Sequence, residues 1–165
     1  MLRQSAIVAI VLGSLCLGLH HEAQASDASL SVSVGSGYSV EGDGSRIPTN
    51  LMVAPGFNLL GDNFLRFEVG FVADMPDVRN GNFDLQLRPM LVLTAPIIPV
   101  YGRLVGGVTQ LVHGPVQTAF GGVVGIEAPC FSDSHIFAEA GYVPRATRDA
   151  FLSVFEGRLG LRFGF

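Results

Sequence analysis

The last twelve residues, Val154-Phe-Glu-Gly-Arg-Leu-Gly-Leu-Arg-Phe-Gly-Phe165, alternate strictly between positions without charge and positions that carry all of it. Side chains of a β-strand point to opposite faces in turn. Phe155, Gly157, Leu159, Leu161, Phe163 and Phe165 therefore share one face, and Glu156, Arg158, Gly160, Arg162 and Gly164 the other. Such a strand needs apolar surroundings on one side and polar partners on the other. With Phe165 as its final residue, it is expected to be the last stave of a closed wall. The fold class this predicts is all-β: an eight-stranded antiparallel up-and-down transmembrane β-barrel.

The N-terminus bears on compartment. Arg3 supplies a positive charge, residues 5–19 carry none, and Ala23-Gln-Ala25 has the small residues at alternate positions that a signal peptidase reads. The uncharged run is shorter than the ~20 residues of a spanning helix. Residues 1–25 are therefore expected to be a cleaved signal peptide, leaving 26–165 as one barrel domain. The only cysteine past that point, Cys130, has no partner within the chain for a disulfide.

The chain has no lysine, and its mean hydropathy is positive. Yet the charge-free apolar run between Arg88 and Arg103 is interrupted by Pro89, Pro96 and Pro99. Hydrophobicity comes in short alternating doses, as in a barrel wall. Eight segments bounded by Gly, Pro, Asn or Asp read as strands: 30–38, 51–60, 64–73, 83–93, 100–111, 118–127, 135–143 and 154–165. The links after the odd-numbered strands (39–50, 74–82, 112–117, 144–153) mostly exceed those after the even-numbered ones. Outer-membrane barrels keep their periplasmic turns short, so both chain ends are expected in the periplasm. The fifth segment fits the alternation worst. Its outer face is thin, Tyr101 falls among the inner residues, and a bulge is expected there.

Sorting by alternate positions collects Arg66, Arg88, Arg103, Arg158 and Arg162 against Glu68, Asp84, Glu127, Glu139 and Glu156 on the polar face. On this reading the net charge of −4 resides in connectors, with Arg46, Arg79, Arg145 and Arg148 set against Glu41, Asp43, Asp62, Asp74 and others. Five cations and five anions in a tube of eight strands imply ion pairs, since eight strands leave room only for side chains and an unpaired buried charge is costly. Arginine suits the task because its planar fork grips carboxylates bidentately. Glycines on the same face (Gly70, Gly121, Gly125, Gly141, Gly160, Gly164) are expected to make room for the arginines.

The same strands could be turned inside out, with the apolar face as the core of a soluble barrel or sandwich. Glycine on the charged face, absent lysine and aromatics at strand ends argue against this. Tyr38, Phe71, Phe83, Phe120, Tyr142 and Phe155 would form an outward girdle near the loop end, with Phe57, Phe163 and Phe165 towards the other, as at the two interfaces of a bilayer.

On these features the chain resembles the small eight-stranded outer-membrane β-barrels of the OmpX and OmpA transmembrane-domain type. The resemblance is architectural. Its most specific part is the C-terminal pattern of a final aromatic preceded by apolar residues at every second position: Leu159, Leu161, Phe163 and Phe165. It implies that this strand is the signal read by the outer-membrane assembly machinery, and that the protein is integral to a bacterial outer membrane, in contact with its lipid and lipopolysaccharide.

Some such barrels modify lipids, and a Ser-His-acid group would be the mark of that chemistry. Only His113 and His135 follow the signal segment. His113 lies beside Gly114-Pro115 without a serine, and Asp133-Ser134-His135 is a run in sequence rather than a triad, which meets through the fold. Glu41, Asp43, Asp74 and Asp77 lack the spacing of a calcium loop. An acidic chain with internal arginines does not suit nucleic acid. The expectation is a monomeric structural or surface-interacting barrel with no cofactor, metal or catalysis. The alternatives are a lipid deacylase or acyltransferase, and a narrow channel.

Overall fold

The computed structural model describes residues 28–40, 46–60, 64–77, 82–107, 109–110, 118–131, 133–146 and 151–165. The expected signal peptide lies outside these, as do Glu41, Asp43 and His113.

Eight antiparallel staves form the wall. The first four are β1 (Ala28–Ser39), β2 (Arg46–Leu60), β3 (Leu65–Asp77) and β4 (Asn82–Thr94). The others are each built of two pieces: β5 (Val100–Val105) with β6 (Thr109–Gln110), β7 (Thr118–Ala119) with β8 (Gly121–Phe131), β9 (Ser134–Tyr142) with β10 (Arg145–Ala146), and β11 (Phe151–Leu152) with β12 (Val154–Gly164). The main sheet runs β3-β2-β1-β12-β9-β8-β5-β4, and β3 pairs with β4 to close it. β10 bridges β7 and β11 at one end. Closure satisfies the backbone hydrogen bonds that an open edge would leave bare in lipid.

First and last staves zip without interruption from Ser29↔Gly164 to Ser39↔Val154. The Phe165 amide donates to the Ala28 carbonyl (3.0 Å), so both lie at one end, here called the terminal end; the other is the loop end. β2, β3 and β4 reach further towards the loop end than the segments marked out by sequence alternation. The links left there are 40–45, 78–81, 111–117 and 147–150. Much of the expected loop length is strand, so the contrast with the turns at the terminal end shrinks.

The fifth stave breaks where its alternation is weakest. Gly107 has φ +63°, a left-handed conformation natural to glycine, and the Gly106 amide donates to the Pro89 carbonyl (3.0 Å). β5 pairs Val105↔Met90, but β6 pairs Thr109↔Leu87, a register one residue out of step.

The strands point their charges inward. Arg66 is 1% exposed while Leu159 is 66% exposed. Val53, Phe71, Leu93, Leu104, Ile126 and Ile136 are likewise exposed on the outer face. The inside-out soluble reading is thereby excluded.

Candidate functional site: the ion-paired lumen

Register fixes which side chains meet inside. Arg66↔Val92↔Arg103 and Glu68↔Met90↔Val105 run across β3, β4 and β5, and Arg158↔Glu139 and Glu156↔Gly141 across β12 and β9. Charged residues therefore rise from several staves at similar heights and meet over the axis.

Two carboxylates are the hubs. Glu139 of β9 accepts Arg103 Nη1 on both oxygens (2.7 Å each) and the Tyr101 hydroxyl at 2.8 Å. Arg103 Nη2 also donates to Glu68 (3.1 Å), and Glu68 accepts Arg66 Nε at 2.6 Å. The Arg103 guanidinium lies 5.6 Å from the Tyr101 ring centre and 5.7 Å from that of Phe137, within cation–π range. Phe137, an apolar residue buried on the inner face of β9, is thus part of the site.

Glu156 of β12 is the second hub. Arg88 grips it bidentately (2.6 and 3.0 Å), Arg145 Nη2 donates at 2.9 Å and Arg158 Nη2 at 3.2 Å. Asp74 accepts the Gln86 amide and sits 3.5 Å from Arg145 Nη1. Arg158 Nε, 3.9 Å from Glu139, links the two hubs. At the terminal end Arg162 Nη2 donates separately to Glu127 (2.8 Å).

Two residues depart from the expectation that places them in connectors: Asp74 and Arg145 are both buried in the lumen. Asp74 extends the inward series 66, 68, 70, 72 by one step, so following the strand further finds it. Arg145 follows Pro144, where β9 gives way to β10, and no alternation reaches it. Asp84 pairs with Asp74 across β3 and β4, but its side chain lies outside the described residues. Among the described residues the lumen holds Arg66, Arg88, Arg103, Arg145, Arg158 and Arg162 against Glu68, Asp74, Glu127, Glu139 and Glu156. These are nine of the ten residues that alternation collects, with Asp74 and Arg145 added; the tenth is Asp84.

Among the described residues the lumen is closely packed. Met52, Val72, Met90, Val105, Val123 and Val143 pack inside beside the charges. A cavity between Arg88, Arg103, Arg158, Glu139, Glu156 and Met52 measures about 10 Å³, near the minimum for one water molecule. Glycines make the packing possible, though not as expected. A Cβ on Gly125 would lie 2.3 Å from the Tyr101 ring, and one on Gly160 2.5 Å from that of Phe137. These two make room for aromatics. Room for an arginine comes from Gly35, outside the expected set, where a Cβ would meet Arg158 Cγ at 2.7 Å.

Of the girdle, Tyr38, Phe71, Phe120, Tyr142 and Phe155 are exposed on the outer wall, and the Phe83 side chain lies outside the described residues. Tyr38, Phe155 and Tyr142 are neighbours in register, with the Tyr142 and Phe155 rings 5.2 Å apart. Phe71 is different. β3 continues to Asp77, which leaves Phe71 in mid-strand rather than near the loop end. In the C-terminal pattern Leu159 and Phe165 are exposed and Leu161 is half-buried, whereas Phe163 is only 4% exposed, although parity puts it on the outer face.

Ser134 and His135 pair with Phe163 and Arg162 of β12, so they point to opposite faces of the wall despite adjacency in sequence. Cys130 is exposed near the end of β8, its Sγ 3.4 Å from the Ser134 carbonyl.

No family model and no curated protein matches the chain. Solved structures do. The Neisserial surface protein A (NspA) structure is similar with a TM-score of 0.57 at 15% identity, over 87% of this chain and 100% of that one. The solution structure of the de novo designed TMB2.3 is similar with a TM-score of 0.50 at 11% identity, over 87% and 98%. At these identities the likeness is one of fold: a membrane β-barrel of eight staves.

Proposed function

We propose that the protein is an integral barrel of the bacterial outer membrane that acts without catalysis, supporting the envelope or presenting its outward loops, and that its lumen is a plug rather than a pore. The observation that carries this is the inversion of an ordinary soluble protein: arginines and carboxylates buried in mutual contact, leucines and phenylalanines exposed around them. That arrangement suits hydrocarbon outside and a closed, charge-compensated interior.

On this reading residues 1–25 are removed on export, the terminal end faces the periplasm, and the outer wall contacts lipid and lipopolysaccharide as a monomer. Leu159, Leu161, Phe163 and Phe165 serve as the assembly signal, in keeping with the resemblance to OmpX-type and OmpA-type barrels. The deciding experiment is extraction from outer membranes in mild detergent. A closed barrel shifts its gel mobility on heating, and planar bilayers containing it show no stable conductance steps. A water-soluble periplasmic form would overturn the membrane assignment. Steady single-channel steps would overturn the plug.

A further inference from the structure

The turns at the terminal end expose large apolar side chains. Leu59, Leu60 and Phe64 flank the β2–β3 turn, Phe131 ends β8, and Phe165 closes the chain; all are exposed. The β4–β5 turn goes furthest. In Ala95-Pro-Ile-Ile-Pro-Val100, Ile97 is 92% exposed and Ile98 more than half exposed. The turn is held in place. Its Ala95 amide donates to the Val100 carbonyl (3.0 Å) and the Val100 amide to the Ile98 carbonyl (2.7 Å), while the Glu127 amide of β8 donates to the Pro99 carbonyl (3.0 Å). Two prolines restrict the backbone on either side of the isoleucines.

Turn tips that stand in water are ordinarily polar, and a fixed turn displaying two isoleucines needs an apolar or interfacial neighbour. The distribution identifies which. The exposed groups belong to each of the three turns at this end and to the last residue, so they encircle the barrel instead of forming one patch. They also continue the outer wall, through Leu93 on one side and Leu104 on the other, without a charged break in the β4–β5 turn. A protein partner would meet one sector, whereas a bilayer surface meets the whole circumference at one depth.

We infer that the β4–β5 turn is a membrane-interface anchor: Ile97 and Ile98 sit in the headgroup region of the leaflet at the terminal end, among the upper acyl carbons. The inference rests on the membrane reading of the wall and extends it by setting the height of the barrel in the bilayer. The bilayer boundary on this side lies at the turn tips, beyond the last paired residues Thr94 and Tyr101.

The chain has no tryptophan, so a single Ile97→Trp substitution creates one unambiguous reporter. It would be compared with Leu104→Trp, on the lipid-facing wall, in phosphatidylcholine vesicles containing lipids brominated at shallow or deep acyl positions, with iodide as the aqueous quencher. Ile98→Trp repeats the test if the first variant fails the heat-shift check of folding. The expected result is blue-shifted emission from the Ile97→Trp protein, quenched most by shallow bromines, with iodide quenching several-fold below that of free tryptophan. If Leu104→Trp is quenched by brominated lipid but Ile97→Trp is quenched fully by iodide and not by bromine, the anchor is refuted, and a soluble protein partner becomes the occupant to seek. If the folded Leu104→Trp protein also escapes brominated lipid, the membrane reading itself fails.

Discussion

The eighth and fifth staves, equal members of one wall, behave oppositely. β12 holds its register against both neighbours from end to end. The fifth stave keeps step only through β5 and slips at Gly106-Gly107. The lumen explains the contrast. β12 sends in Glu156, Arg158 and Arg162; Glu156 and Arg162 bond to partners from other staves and Arg158 reaches Glu139, so a one-residue shift would turn three buried charges into lipid. β5 sends in Tyr101 and Arg103 and then only Val105. Beyond Arg103 nothing ionic among the described residues pins the strand, and valine and glycine tolerate either face. Along β12 register is held from within, by charge.

Substitutions can break or sharpen that contrast. The largest effect is expected for Glu156→Gln, which removes the charge facing Arg88, Arg145 and Arg158. Losing one partner of a buried ion pair costs about 3–5 kcal/mol, to be read from urea unfolding in vesicles. Adding Arg88→Met should restore part of the loss, and strict additivity would deny the coupling. Next is Leu159→Arg, in the middle of β12 on the outer face, for which about 2–4 kcal/mol is expected if that face meets mid-bilayer lipid. A neutral result would show the wall to be solvated. In the fifth stave effects should be smaller. Gly107→Ala must hold φ +63° with a Cβ, at a cost of about 1 kcal/mol. Gly102→Ala, whose Cβ would meet nothing within 4 Å, should change stability by less than about 0.5 kcal/mol. An effect of Gly102→Ala as large as that of Glu156→Gln would refute the idea that the inner face governs register.

The same contrast explains what could be read from sequence. Where an inward charge recurs at every second position, as at Arg66 and Glu68 or Glu156 and Arg158, alternation sorts the residues into two faces, and glycine on the charged face, absent lysine and aromatics at strand ends are what point that face inward. The slip in the fifth stave was legible as a thin, unconvincing pattern. Arg145 was not legible, since its place depends on how the chain resumes pairing after Pro144, a three-dimensional fact with no periodic trace. Nor could period alone say which glycine faces which large side chain. Gly35 accommodates Arg158 because β1 lies beside β12, a neighbour relation created by closure. Phe163 marks another limit: parity gives its side of the wall, and its burial comes from surroundings that parity does not describe.

The bidentate grip of Arg88 on Glu156 joins residues 68 positions apart, from the fourth stave and the eighth, which face each other across the axis. Neither can find the other until the final hairpin has arrived. A half-assembled sheet could already pair Arg66 and Arg103 with Glu68, but it would carry Arg88 without Glu156, a cation that disfavours hydrocarbon until the seam between β1 and β12 shuts. Neutralising Arg88 and sealing the wall are thus geometrically coupled, because the same closure that joins β1 to β12 brings Glu156 within reach.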